Sequence, residues 1–344
     1  MKAAIFKGLG QKLAIETVSD PVPGPGEVVI RVAACGVCGS DLHATDAGAF
    51  LQEAGTVLGH EFSGEVTASG DPAVAVGQRV TAVPVNACDE CRELGTCKDN
   101  LGILCPNNRI TGLAKSVPGA YAQFIKVGAR QVVPLPDGVS FEEGAMVEPL
   151  AVGLHAVKKS DMAIGARVLI IGAGPIGLAV TAFSQLRGAA TVVVSERAPA
   201  RRDAARSFGA SAVIDPTAVE DVGAEFARIA GGPPDIVFDC VGVPGMIQSC
   251  INLAATRGTI VVVGVCMKDD TMLPLSAIFK ELKVQFILGY VEEDFATVLE
   301  FLQAGKINAN AMVTDRVNFE TLPDAFEGLR QPGNQIKMMI MPNG

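Results

Sequence analysis

The sequence predicts an α/β protein made of a doubly wound parallel-sheet domain joined to a second, mostly β domain. Three observations predict it. At 344 residues the chain exceeds what one hydrophobic core usually organises, which points to about two domains. With 49% hydrophobic and 19% charged residues, it has the apolar material for strands buried on both faces. Finally, the pattern changes along the chain, from short β-rich segments to strands alternating with helices.

Up to about residue 133, segments such as 28–33 and 64–68 read as strands separated by Pro/Gly turns like 21–26. Residues 141–148 turn helical. The apolar run 168–171 is then a buried strand, followed by a glycine-rich turn and a helical stretch. The series continues with strands at 191–195, 212–214, 236–239 and 259–263 and a helix over 200–208, so the sheet should be parallel. After 284–288 a helix at 293–304 and a Pro/Asn-containing tail break the series. The expected division is 1–150 for the β domain, with a cysteine lobe at 86–106, then 151–288 for the parallel sheet. Residues 289–344 are expected to return to the first domain.

A net charge of −9 and the absence of Lys/Arg runs argue against nucleic-acid partners. The N-terminus shows no charged leader with an apolar core, and the longest apolar runs are too short to cross a bilayer. A cytoplasmic protein with no membrane partner is expected. Nine cysteines, an odd count, suit metal ligation better than a disulfide framework in such a compartment.

Gly172-x-Gly174-x-x-Gly177 follows an apolar strand and opens a helix, the context that gives this pattern meaning. Gly172 allows the tight turn, Gly174 lets backbone approach a pyrophosphate, and Gly177 lets the helix pack on the strand, with phosphates at the helix N-terminus. Glu196, 19 residues past Gly177, stands where an acid meets the adenosine ribose hydroxyls and repels a 2′-phosphate. NAD is therefore expected over NADP. Arg197, Arg201 and Arg202 are the counter-signal, since guanidinium groups grip a 2′-phosphate. Pro175, Ile176, Val241, Val263, Gly264 and Val265 are assigned to the same cofactor site.

A second signal is Cys38-Gly39-Ser40-Asp41-Leu42-His43 followed by Gly59-His60-Glu61, which places two of the three histidines in two short motifs. A thiolate, an imidazole and a carboxylate suit a tetrahedral Zn²⁺ that keeps a position open for substrate. Asp41 fits the role of orienting the His60 ring. Zinc of this kind acts as a Lewis acid on a substrate oxygen.

These motifs together with the glycine fingerprint resemble the zinc-containing medium-chain dehydrogenase/reductase superfamily across essentially the whole chain. The run Glu148-Pro149-Leu150-Ala151-Val152-Gly153-Leu154-His155 resembles its polyol, butanediol and threonine dehydrogenase branch. The resemblance implies a Rossmann domain plus a GroES-like catalytic domain, and an enzyme exchanging a hydride between NAD(H) and a secondary alcohol or ketone. It implies Cys38, His60 and Glu61 as catalytic zinc ligands, with Glu148 binding directly or through water. It also makes Ser40 the hydroxyl that hydrogen-bonds the substrate oxygen and His43 the outer end of a proton relay.

Cys88-x₂-Cys91-x₅-Cys97-x₇-Cys105 gathers four thiols in 18 polar, turn-rich residues, the composition of a closed structural zinc site. The family lobe usually has two residues between its second and third cysteines, where this chain has five. Cys35 is read as a packing residue and His155 as structural. Phe50, Leu51 and Tyr121 are candidates for a partly apolar substrate cleft. The family commonly assembles through the edge of the nucleotide-domain sheet, here near 271–275 and 284–288, which implies a homodimer or homotetramer. Two competing functions are a zinc-free quinone or enoyl reductase of the same superfamily, which lacks the ligands, and a non-catalytic nucleotide binder.

Overall fold

Val168, Leu169 and Ile170 expose no surface, and neither do Val192, Val193 and Val194. Runs without alternation must be covered on both faces, as in the middle of a parallel sheet. The computed structural model describes residues 1–48, 51–86, 102–105, 107–331 and 333–344 and places these runs side by side in register, Val168 opposite Val192. The sheet has six strands in the order Ala212–Ile214, Thr191–Ser195, Arg167–Ile171, Ile236–Asp239, Thr259–Val262 and Lys283–Phe286. All five pairings are parallel. Strand order reverses between Arg167–Ile171 and Ile236–Asp239, and ligands of such sheets bind outside the carboxyl ends of the strands at that point.

The chain forms two compact units, Met1–Glu148 with Val291–Gly344, and Pro149–Tyr290. The first holds a seven-stranded sheet whose central strand is Glu27–Gly36. This strand pairs antiparallel with Glu61–Ser69, Phe124–Gly128 and Lys337–Ile340. Val28, Ile30, Val32, Phe62, Val66 and Phe326 fill the core on it. The segment after 290, read from sequence as a helix and a plain tail, contains the helix Glu292–Gln303, the strands Val313–Val317 and Lys337–Ile340, and the helix Leu322–Gly328. Its last strand puts Met339 opposite Gly36, which in turn lies opposite Glu61. This register brings together three stretches distant in sequence. No helix among the described residues is long and apolar enough to cross a membrane.

Candidate active site

Strand Glu27–Gly36 ends in a short loop that feeds the six-residue helix Gly39–Ala44, with Cys38 at its N-cap position. The Asp41 carboxylate reaches back and accepts the Cys38 amide through Oδ2 at 3.0 Å, satisfying one of the free N–H groups that every helix start presents. Gly59, at φ +98°, turns the chain just before Glu61–Ser69 begins; a Cβ there would stand 2.4 Å from the Tyr121 ring. His60 and Glu61 are thereby delivered beside Cys38.

The Cys38 sulfur, a His60 ring nitrogen and a Glu61 oxygen all lie within 4.8 Å of one another. Cys38 is partly exposed, whereas His60 and Glu61 are buried. Soft sulfur, imidazole and carboxylate in one cluster fit Zn²⁺, and a set with only three ligands leaves room for a fourth, non-protein one. Ser40 Oγ is 3.3 Å from His60 Nε2, and Asp41 Oδ1 is 3.5 Å from Nδ1. Burial alone would favour neutral imidazole, but Asp41 outweighs it and holds the ring's pKa well above its ordinary value. A metal at the ring would displace that proton, because the ligand form of histidine is neutral.

Asp41 is itself buried, which disfavours its charge; His60, the Cys38 amide and the Tyr121 hydroxyl together outweigh burial and leave it a carboxylate below the usual range. His43 follows Ser40 by three residues on the same helix and is partly exposed, so the two side chains project from neighbouring positions of one face. Glu148 lies in the first turn of helix Val147–Lys159 and is partly buried.

Lys337 belongs to this site, and sequence reasoning misses it. Its side chain is 2% exposed and its Nζ donates to Glu61 Oε1 at 2.8 Å, Glu61 Oε2 at 2.6 Å and the Val37 carbonyl at 3.0 Å. Burial works against this charge, yet Glu61, Cys38 and Glu148 override it and raise the ammonium above its ordinary range. The available signal is a single lysine in the otherwise apolar run 336–341, since lysine is almost never fully buried without a partner.

On the second unit, Gly172 adopts φ +94°, and a Cβ on Gly177 would lie 2.0 Å from the Gly172 carbonyl oxygen. Both positions admit only glycine, the first for conformation and the second for contact. Gly174 caps helix Pro175–Leu186, whose first residue is a proline that gives up no needed N–H, and Ile176 follows in its first turn. Glu196 closes strand Thr191–Ser195 against this turn, Oε2 accepting from Ala173 N and Oε1 from Ala198 N, both at 2.8 Å. Arg202 is engaged elsewhere, paired with Asp215 at 3.0 Å and donating to the Glu196 and Arg197 carbonyls. Arg197 is exposed and Arg201 half-buried. Val263 and Gly264 both donate to the Asp239 carbonyl at 2.9 Å, and Val241 and Val265 leave an apolar lip at the strands' carboxyl ends.

Residues 24–137 match the alcohol dehydrogenase GroES-like domain, and residues 175–304 match the zinc-binding dehydrogenase family. (R,R)-Butanediol dehydrogenase of Bacillus subtilis (strain 168) is 32% identical over 357 residues, covering 100% of both chains. The chain belongs to the zinc-containing medium-chain dehydrogenase/reductase superfamily. Within it this alcohol dehydrogenase falls in the butanediol and polyol branch, since sorbitol dehydrogenase of the same Bacillus strain is also 32% identical, over 100% of this chain and 98% of the relative. Among solved structures it is similar to a proposed zinc-binding dehydrogenase of Sinorhizobium meliloti 1021, bound to NADP. That similarity has a TM-score of 0.89 and 30% identity, covering 99% of each chain.

One sequence expectation for this dehydrogenase is overturned. Tyr121 does not line a cleft: it is fully buried in the core, and its hydroxyl donates to Asp41 Oδ2 at 2.7 Å. The aromatic ring occupies the space that Gly59 leaves, and the polar tip finds its partner in Asp41, behind His60. Cys35 is buried, with its sulfur 3.7 Å from the Gly36 carbonyl, and His155 is buried on its helix. Cys88, Cys91, Cys97 and Phe50 lie outside the described residues, Cys105 is buried, and Leu51 is exposed.

Proposed function

We propose that this chain oxidises a secondary alcohol to a ketone with NAD, the alcohol being a polyol, a vicinal diol or a cyclic alcohol. The observation that carries this is the cluster of Cys38, His60 and Glu61 ligand atoms within 4.8 Å. Cys38, His60 and Glu61 hold the zinc, with Glu148 as an additional carboxylate ligand, direct or through water. When bound, zinc supplies Lewis-acid polarisation of the alcohol oxygen and the nicotinamide supplies the hydride acceptor.

The protein's own residues do the rest. Asp41 keeps the His60 ring oriented through Nδ1. Ser40 Oγ, beside His60, hydrogen-bonds the substrate oxygen and passes its own proton on as it takes the alcohol's, and His43 stands at the outer, solvent end of that relay, which the cofactor ribose would link. The amides of the Gly172–Gly177 turn hold the pyrophosphate, and Glu196 accepts from the adenosine ribose hydroxyls, which disfavours a 2′-phosphate. Cys88, Cys91, Cys97 and Cys105 hold a second, structural zinc. A reducing compartment such as the cytosol keeps these thiolates available.

Two copies associate through the outer strand Lys283–Phe286, whose surroundings expose Leu275, Ile278, Phe279, Phe286 and Leu288. The NADP-bound relative and exposed Arg197 favour NADP as the second reading for the cofactor. The deciding experiment is a screen of butanediols, pentitols, hexitols and cyclic alcohols with NAD and with NADP, with zinc measured on the same preparation. Turnover with NAD and at least one zinc per chain is expected. Less than one zinc per chain, or silence across the panel, overturns the proposal.

A further inference from the structure

We infer that Arg330 is a positioning residue for proton transfer: it clamps the last turn of helix Gly39–Ala44 and thereby fixes where His43 stands at the outer end of the relay. The inference rests on the proposed roles of Ser40 and His43.

The helix cannot hold itself, because six residues are far fewer than a lone helix needs in water. Its first turn is fastened: the Cys38 amide donates to Asp41 Oδ2 at 3.0 Å, and the Tyr121 hydroxyl donates to the same oxygen at 2.7 Å. The last turn, where His43 sits, closes on tighter bonds that span three residues. Thr45 N donates to the Leu42 carbonyl at 3.1 Å and Asp46 N to the His43 carbonyl at 3.2 Å. A helix end of this kind frays first unless something outside the helix holds it.

Arg330 supplies that hold. Its guanidinium carries five N–H donors in a rigid fork, and five hydrogen bonds use them. Toward the helix end, Nη2 donates to Thr45 Oγ1 at 2.7 Å, and Nη1 donates to Asp46 Oδ1 at 2.7 Å and to the Leu42 carbonyl at 3.4 Å. From behind, the Glu327 carboxylate accepts from Nε at 2.8 Å and from Nη2 at 3.3 Å. Thr45 passes the grip on, its hydroxyl donating to the Leu42 carbonyl at 2.9 Å and the Asp41 carbonyl at 3.2 Å. A surface ion pair alone contributes little, but this fork also ends on a helix carbonyl and on the hydroxyl that caps the helix.

The same C-terminal segment supports the ligand side by a separate arm. The Arg330 guanidinium carbon lies 5.6 Å over the Phe326 ring, and that ring meets Tyr121 edge-on at 6.4 Å. Tyr121 in turn holds Asp41, which faces His60. The two arms are separable, because none of the five Arg330 bonds reaches Cys38, His60 or Glu61. Releasing Arg330 therefore leaves the ligand cluster and Ser40 in place and lets the turn that carries His43 fray.

The test uses the full-length, zinc-loaded chain and two variants. Arg330→Met keeps the aliphatic stem and removes the fork; Thr45→Val keeps the side-chain shape and removes the hydroxyl that the fork holds. In both, deuterium exchange should speed up at residues 42–46 and stay unchanged at 59–63, with zinc content equal to the wild type. With NAD and a secondary alcohol that the wild type turns over, kcat should fall about 10- to 100-fold with little change in the KM for the alcohol, the scale of a misplaced catalytic group. Raising a tertiary amine buffer at fixed pH and ionic strength should restore much of that loss in the variants and do little for the wild type. A base from solution then replaces the displaced histidine, and a tertiary amine is too hindered to ligate the metal. Zinc lost along with activity would mean that Arg330 serves the ligands, and a fall in kcat that the buffer does not relieve would mean a general structural role; either overturns the inference. Unchanged exchange at 42–46 overturns it as well. A wild type with no turnover on any alcohol overturns the proposed function and the inference with it, whereas an active wild type whose variants match it overturns the inference alone. Should Arg330→Met fail to fold, Thr45→Val decides by the same readouts.

Discussion

The Tyr121 hydroxyl donates to Asp41 Oδ2 at 2.7 Å, with both side chains wholly removed from solvent. The same oxygen accepts the Cys38 amide, and the other stands 3.5 Å from His60 Nδ1. One carboxylate thus ties the backbone of one candidate ligand to the ring of another, and Tyr121 fixes that carboxylate from behind. Burial and the neighbouring Asp41 charge push the Tyr121 pKa well above its ordinary value, so it stays a donor throughout the working pH range.

Tyr121→Phe keeps the ring that fills the space at Gly59 and removes only the hydrogen bond. Losing an outer-shell partner typically costs 10–100-fold in metal affinity or activity. We expect zinc to be stripped about 10-fold or more readily by a chelator, with the unfolding midpoint moved by about 1 kcal/mol or less. A variant that retains zinc like the wild type would show that Asp41 needs no help from Tyr121.

Much of this architecture is legible in the sequence because it is local. Gly172, Gly174 and Gly177 announce a turn within six residues, and Cys38 with His60 sits in two short motifs whose residue types already specify a ligand chemistry. Tyr121 and Lys337 are illegible for the opposite reason. Lys337 reaches Glu61 across 276 residues and Tyr121 reaches Asp41 across 80, through sheet register and core packing that no local pattern encodes. Tyr121 misleads because an aromatic with a polar tip serves equally well in a cleft or a core. The C-terminal strand Lys337–Ile340 is a short apolar run that periodicity alone does not assign.

Glu196 takes two backbone amides with its two oxygens, Ala173 from the glycine turn and Ala198 beyond the strand. Each oxygen keeps a further lone pair for a ribose hydroxyl. Glu196→Arg removes both amide contacts and introduces a guanidinium beside Arg197. The ratio of kcat/KM for NAD over NADP should fall by at least about tenfold, or 1.4 kcal/mol. An unchanged ratio, measured on one alcohol with both cofactors, would remove Glu196 from cofactor selection.

Among the described residues the outer strand Lys283–Phe286 pairs on one side only, with Thr259–Val262, and the apolar side chains near it include Phe279 at 76% and Phe286 at 62% exposure. An edge strand left unpaired beside apolar surface invites pairing with another chain. Light scattering should give a mass at least twice 35.6 kDa for the wild type, and Phe286→Lys with Ile278→Glu should lower it toward a single chain. A monomeric wild type would dispose of the proposed interface.

Arg316 grips Glu142 with two parallel bonds, Nε to Oε1 at 2.7 Å and Nη2 to Oε2 at 2.6 Å, tying the strand Val313–Val317 to the helix Phe141–Ala145. The hydrogen bond from Arg316 is the largest cause of a Glu142 pKa below the ordinary carboxylate value. A depressed acid pKa contributes stability that is complete above the unfolded-state value of 4.5 and disappears as pH falls through the lower, folded value. Arg316 is 49% exposed, so solvent screens the pair and its contribution is about 0.5–1 kcal/mol despite the good geometry. Arg316→Met should therefore unfold at lower urea than the wild type at pH 7, by an amount that shrinks toward nothing as the pH is taken below the folded pKa. A gap of equal size at both ends of that range would mean that Arg316 stabilises through its aliphatic stem and not through the carboxylate.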